Sequence, residues 1–284
     1  MMDGRIIDSH VHVWDPTQFS MPWLANDPLL QRPYDLEEYG EATRDIPIAG
    51  LVAIEVDVEP AEALREARWL ASLARKAPRI QAIVAAAPLE QGSDCRAHLE
   101  ALVALGPGLK GVRRNIQGES LDFCLQPTFL QGVQMLAKYG LSFDICITHR
   151  HLPNVIELVR QCPDTAFVLD HVGKPDIKHG QLYPWRTHLG ELAALPNVQC
   201  KVSGMVTEAD HEHWEATDLA PFVQAVFDTF GEDRVMFGGD WPVLLHAASY
   251  RRWYEVLGEL TNHLSPAGQR KFWGDNARRF YRIN

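Results

Sequence analysis

The sequence predicts a single α/β domain, a (β/α)8 TIM barrel over residues 1–284. Three observations predict it. Eight short apolar, β-rich runs recur along the chain, amphipathic helix patterns fill most of the gaps, and reactive residue types stand at many of the run ends. An open doubly wound sheet is the alternative; the count of eight favours the barrel. A chain of 284 residues, 46% hydrophobic and 23% charged, suits one domain with a full core.

The elements follow in order. Arg5–Val11 reads as strand one and ends in Asp8-Ser9-His10-Val11-His12. Side chains alternate faces along a strand, so His10 and His12 point the same way. Residues 14–49 form a long loop rich in Pro and aromatic residues, which suits a pocket wall or lid. Gly50–Val58 is strand two, followed by a helix over Pro60–Ala77 with Trp69 on its apolar face. Ile80–Ala87 is strand three, and a helix over Asp94–Leu105 takes Ser93 as its N-cap and stops at Gly106. Leu109–Ile116 is strand four, and Pro127–Tyr139 is a helix stopped by Gly140. Ser142–Thr148, Ala166–His171 and Val198–Ser203 are strands five to seven, with helices over Leu152–Cys162 and Tyr183–Leu195 between them. Leu219–Phe230 is a helix stopped by Gly231, Val235–Gly239 is strand eight, and Ala248–His263 is a last helix. Most strand runs are continuously apolar, as parallel strands buried on both faces require.

Composition narrows the function. The formal net charge is −10, which argues against a nucleic-acid partner and mildly against polyanionic substrates. Five scattered Cys without a C-x-x-C pattern point to reduced thiols and a cytoplasmic location. No basic segment followed by an apolar stretch opens the chain, so no signal peptide is expected, and no apolar run is long enough to span a membrane. Nothing in the sequence speaks to oligomeric state.

A barrel carries its chemistry at the C-terminal ends of its strands. Those ends supply His10 and His12, Glu55 and Asp57, Arg113, Arg114 and Asn115, His149 with His151, Asp170-His171 before Gly173-Lys174-Pro175, Lys201 with Ser203, and Asp240. His10 and His12 make half of a metal site or a pair of donors to a carbonyl oxygen. Asp240, between Gly238-Gly239 and Trp241-Pro242, stands where a barrel holds a base. His171 follows the apolar Phe167-Val168-Leu169 in the same manner. Arg113 and Arg114 are adjacent and face opposite ways, so one of them points easily into the mouth. Lys201 reads as a buried strut paired to a carboxylate.

The set resembles the amidohydrolase superfamily, whose mark is H-x-H after strand one and Asp after strand eight. More narrowly it is similar to the amidohydrolase-2 group, which includes sugar lactonases and the pyrone-dicarboxylate lactonase. The segments that carry the likeness are Ile7–Pro16, Lys110–Arg114, Leu169–Pro175, Lys201–Gly204, Phe237–Pro242 and Gly274–Tyr281. The resemblance implies Asp240 as general base and His171 as its catalytic partner. It implies one divalent metal on His10 and His12, completed by Asp240 or by one of His149 and His171, and zinc rather than magnesium because imidazole is a borderline-soft ligand. The metal-independent version, in which the imidazoles donate to the carbonyl oxygen, stays open. Lys110 lies at the start of strand four, not where a carbamylated lysine would bridge two metals. The implied substrate is a small-molecule sugar lactone, narrowed by resemblance to a 6-deoxy-sugar lactone such as L-fuconolactone or L-rhamnonolactone. Arg113, Trp23, His149 and Trp241 are the substrate-binding candidates, with Trp14 and Tyr34 as further aromatic walls. A pyrone-dicarboxylate-type lactonase and a metal-dependent decarboxylase of the aminocarboxymuconate-semialdehyde type are the alternatives.

Overall fold

Residues 6–283 are described by the structure, a computed structural model. Arg5, where the sequence starts strand one, lies outside the described residues. The strands are β1 (Ile6–Val11), β2 (Ile48–Ile54), β3 (Ile80–Ala86), β4 (Leu109–Asn115), β5 (Ser142–Cys146), β6 (Phe167–Leu169), β7 (Val198–Val202) and β8 (Val235–Phe237). Each pairs in parallel with the next, in the order β1 to β8. β8 returns to β1 just past its regular part: Asp240 N–H donates to His10 O at 2.8 Å and His12 N–H to Trp241 O at 2.8 Å. The eight-strand (β/α)8 barrel expected from the sequence is the fold.

The helices are α1 (Leu36–Ala42), α2 (Ala63–Lys76), α3 (Arg96–Val103), α4 (Pro127–Lys138), α5 (Leu152–Gln161), α6 (Trp185–Ala193), α7 (Ala216–Phe230), α8 (Tyr250–Leu260), α9 (Pro266–Arg270) and α10 (Asn276–Tyr281). Strand residues alternate between two cores, as the two-residue period dictates. Leu51, Ala53, Ile83 and Ala85 face the helices, whereas Ile7, Val52, Ile54, Ala82, Val84, Val168 and Met236 fill the barrel. Ala277, Phe280 and Tyr281 of α10 join this inner core.

Some expectations shift. Ser93 does not cap α3. A 3-10 segment over Leu89–Cys95 leads into that helix, and Ser93 N–H donates instead to Gln131 Oε1 at 3.0 Å. α7 begins earlier than expected because Glu215 and Asp218 close a reciprocal capping box. Within the long loop, Asp35 caps α1 by accepting from Glu37 and Glu38 N–H.

Candidate active site

The mouth of the barrel is fixed from below by a buried carboxylate. Asp8 accepts from the backbone of Gly239 (2.7 Å) and His10 (3.1 Å) and from the hydroxyls of Tyr39 (2.9 Å) and Tyr250 (2.6 Å). Those bonds tie the ends of β1 and β8 together, and so set His10 beside Asp240. A side chain at position 239 is excluded, since a Cβ there would stand 2.5 Å from Asp8 Oδ2 and from the Tyr250 ring.

Four of the side chains named from the sequence converge above this anchor. His10 Nε2 and His12 Nε2 lie 3.1 Å apart. Asp240 Oδ1 lies 3.8 Å from His10 Nε2, 3.7 Å from His12 Nε2 and 3.9 Å from His171 Nε2. The far nitrogens have partners of their own. His12 Nδ1 meets Ile54 O at 3.1 Å and His171 Nδ1 meets Ser203 Oγ at 2.9 Å. His10 Nδ1 sits 3.4 Å from Asp170 Oδ1 and 3.2 Å from Lys201 Nζ. All four residues are buried. Gly204 is what allows His171 and Asp240 to approach: its φ is +56°, and a Cβ would come within 2.5 Å of His171 Nδ1 and 2.8 Å of Asp240 Oδ2.

The electrostatics suit a cation. Burial lowers all three imidazoles, and neighbouring positive groups reinforce it: His12 falls to about 3, and His10 and His171 lie well below the ordinary value. They are neutral at pH 7, with Nδ1 engaged and Nε2 turned inward. Burial raises Asp240 to about 7 against the pull of Lys174 and Arg113. No hydrogen bond joins its carboxylate to another described side chain. Two neutral imidazole nitrogens and a carboxyl oxygen that converge on one point fit a divalent metal on His10, His12 and Asp240, whose binding would displace the carboxyl proton. A second grouping of His10, Asp170 and His171 fits one poorly, because Lys201 Nζ already neutralises Asp170 at 2.8 Å.

The charge beneath His10 is carried by a chain of buried groups. Lys201 Nζ lies 2.6 Å from Asp144 Oδ2 and 2.8 Å from Asp170 Oδ1, and Tyr281 Oη donates to Asp144 Oδ2 at 2.6 Å. Lys201 is thus the strut the sequence suggested. Burial pushes Asp170 up, but Lys201, His171 and Arg113 together hold it below the usual carboxylate range.

A cavity of about 280 Å3 opens onto the cluster, lined by His12, His171 and Asp240, by Trp23, Val56 and Val243, and by Asp57, Arg113, Asn115, Gln117, Cys146 and Lys174. Trp23 reaches it from the long loop, its indole N–H donating to Val56 O at 2.8 Å. Arg113 points in and Arg114 out, as the strand period required. Arg113 nevertheless gives Nε to Glu55 Oε1 and Nη2 to Glu55 O (2.7 Å), so it cannot offer a free bidentate fork.

Three aromatic expectations need correction. Trp241 is buried against Tyr34 and Tyr39, with ring centroids 5.4 Å from each, and does not line the cavity. Trp14 and Tyr34 are buried under the same loop. Large aromatic rings gain most from full burial, and here they pack the loop onto the barrel. His149 also stays out. Past β5 the chain enters a 3-10 turn over His149–His151, and His149 lines an adjoining cavity of about 470 Å3 with its Nδ1 on Lys174 O (2.9 Å).

Sequence reading places Asp57, Asn115 and Lys174 at strand ends without giving them a role, and it misses Gln117. Arg113, Asn115 and Gln117 are two apart, and Glu55 and Asp57 likewise, so the same alternation that pairs His10 with His12 is the available signal.

Comparison with known proteins places this geometry. The amidohydrolase family profile matches residues 7–283, and the chain belongs to that family. It is 35% identical to an L-fucono-1,5-lactonase of Burkholderia multivorans, covering 99% of this chain and 97% of that one. It is 30% identical to an L-fucono-1,5-lactonase of Burkholderia ambifaria, covering 98% and 96%. An amidohydrolase from Burkholderia multivorans solved with bound zinc superposes with a TM-score of 0.88 at 32% identity, covering 99% and 100%.

Proposed function

We propose that this amidohydrolase opens a sugar lactone to its sugar acid, and that its substrate is a 6-deoxy-sugar lactone such as L-fuconolactone or L-rhamnonolactone. The observation that carries the reading is the buried Asp240 carboxylate, facing three neutral imidazoles at the floor of a small polar cavity, in a chain similar over its whole length to L-fucono-1,5-lactonases.

Asp240 is the general base. It takes a proton from water, whose oxygen then adds to the lactone carbonyl carbon. The bond from that carbon to the ring oxygen breaks, and the ring oxygen leaves with the proton returned from Asp240. The products are a carboxylic acid and a hydroxyl on one open chain. With the Ser203 hydroxyl donating to Nδ1, His171 carries its proton on Nε2 and donates it in a hydrogen bond to the carbonyl oxygen. Burial serves the base here, because a carboxylate whose pKa is held near 7 takes a proton from water more readily than one held near 4.

His10, His12 and Asp240 Oδ1 would hold one divalent metal, with zinc the expected ion. When bound, it supplies Lewis-acid polarisation of the carbonyl. Behind His10, Asp170 Oδ1 at 3.4 Å and Lys201 Nζ at 3.2 Å from Nδ1 are the outer groups that would hold the imidazole in place for the metal. The five cysteines are free and buried, which supports a reducing, cytoplasmic setting. Among the described residues no helix is long and apolar enough to cross a membrane.

The test is acid release from a panel of sugar lactones, with and without added zinc. The expected result is hydrolysis, fastest for a 6-deoxy aldonolactone. Failure to open any lactone in either condition overturns the proposal. Carbon dioxide release from a carboxylated substrate would assign the decarboxylase reading in its place.

A further inference from the structure

Among the described residues, six other than glycine adopt positive φ, and four of them line the catalytic cavity: Asp57 (54°), His171 (54°), Lys174 (48°) and Asp240 (55°). Such backbone costs on the order of 1 kcal/mol per residue and persists where surroundings and function hold it. His171 and Asp240 have roles. Asp57 has none in the fold, for its side chain is exposed.

Its conformation is nonetheless held from two sides. Asp57 N–H donates to Glu55 Oε2 at 2.6 Å, and Glu55 is itself fixed by Arg113. Asn115 Nδ2 donates to Asp57 Oδ2 at 3.0 Å. Asn115 is oriented in turn by Gln117, whose backbone N–H and Nε2 reach Asn115 Oδ1 at 3.1 and 3.2 Å. Asp57 Oδ1 accepts nothing from the described residues. Asp57 and Trp23 also line a neighbouring cavity of about 360 Å3, so they stand where the two spaces meet. Asp57 and Asn115 follow β2 and end β4, while His12, His171 and Asp240 follow β1, β6 and β8. The cavity thus has a reacting side and a second polar side that presents a fixed, acceptor-only carboxylate.

An acceptor-only group selects donors, and the ring of a sugar lactone carries them as hydroxyls. We propose that Asp57 is the specificity residue of the site: its Oδ1 accepts a hydrogen bond from a ring hydroxyl of the lactone, and Asn115 is the positioning residue that aims it. This rests on the sugar-lactone reading above. It distinguishes a hydroxylated lactone from a bare one, and it disfavours a carboxylated ring, whose anion would meet a second anion at Asp57.

The test compares two lactones, the best 6-deoxy aldonolactone and δ-valerolactone, which has the ester ring without sugar hydroxyls. Where δ-valerolactone turns over too slowly to measure, its inhibition constant against the sugar lactone stands in. Two variants keep the backbone conformation: Asp57→Gly, because glycine accepts positive φ, and Asp57→Asn, because asparagine tolerates it. Hydrogen bonds to charged groups predict a 10- to 100-fold fall, roughly, in the preference for the sugar lactone over δ-valerolactone in Asp57→Gly, mostly through KM. Asp57→Asn and Asn115→Ala should fall in the same sense by less. Thermal melting of each variant checks the fold. A preference unchanged in Asp57→Gly overturns the proposal, whether both lactones are spared or both are lost equally. If the wild-type protein opens no sugar lactone, the functional reading itself has failed, and the wild-type rate alone reveals it.

Discussion

Replacing Lys201 by methionine removes one charge from the centre of the barrel and leaves two behind. Lys201, Asp144 and Asp170 are fully buried, with Nζ 2.6 and 2.8 Å from the two carboxylates. Methionine matches the length of the chain and packs as well, so the loss is electrostatic. Breaking a buried pair from one side costs about 3–5 kcal/mol, because the abandoned charge has no water to return to. The entropy of unfolding at the midpoint is about 2.1 cal/mol/K per residue, or roughly 0.6 kcal/mol/K for this chain. The variant should therefore melt about 5–8 °C below the wild type at pH 8.

The pH dependence separates this cause from poor packing. Without Lys201, burial and mutual repulsion raise both carboxyls above their unfolded values. A raised carboxyl destabilises the fold above its unfolded pKa, and the deficit grows as pH rises toward the folded one. On acidification the carboxyls take up protons, and the gap between variant and wild type should close between about pH 8 and pH 5. Calorimetric melting across that range is the assay. A gap that stays constant, or widens in acid, refutes the electrostatic account. So does a variant within about 1 °C of wild type at pH 8. Zinc affinity should fall too, by about 10- to 100-fold, since Asp170 can no longer be held ionised behind His10.

Gly204→Ala places a methyl group against His171 Nδ1 and Asp240 Oδ2 at a φ of +56°, so activity should drop at least about 100-fold while the fold loses on the order of 1–2 kcal/mol; steady-state kinetics and melting check the two parts. Metal uptake by the metal-free protein should weaken about tenfold per pH unit below pH 7, because binding displaces the proton from Asp240 and the histidines are already neutral. Titration calorimetry in buffers of different ionisation enthalpy reads that proton, and an affinity constant from pH 7 to pH 5.5 would contradict it. Arg113→Met should lower the melting temperature as well as kcat/KM, since it strands the buried Glu55; a rise in KM at unchanged stability would restore Arg113 to a purely substrate-binding role.

What was legible in the sequence was local. His10 with His12, and Arg113 against Arg114, follow from the two-residue period of a strand, and that period needs nothing outside the segment. Asp240 was legible because Gly-Gly before it and Trp-Pro after it mark a strand end that must make room. What stayed hidden depends on distant partners or on backbone that leaves the regular regions. His149 and His171 look alike in sequence, each following an apolar run. One enters a 3-10 turn that carries it out of the cavity, and the other takes φ +54° and turns in. Trp241 stands between Asp240 and Val243, both on the cavity wall, yet its ring is buried edge-on against Tyr34 and Tyr39. Lys201 shows the boundary between the two kinds of information. A lysine inside a buried strand announces that a carboxylate must exist, because an unpaired ammonium could not remain charged there. It does not announce that there are two, drawn from β5 and from the turn after β6, nor that a tyrosine of α10 completes the set. The demand for neutrality is written at one position, and its satisfaction is distributed over 137 residues of sequence separation, between Asp144 and Tyr281. That distribution ties the C-terminal helix, through Asp144, Lys201 and Asp170, to the imidazole of His10, so the chemistry at the mouth of the barrel depends on the closure of its floor.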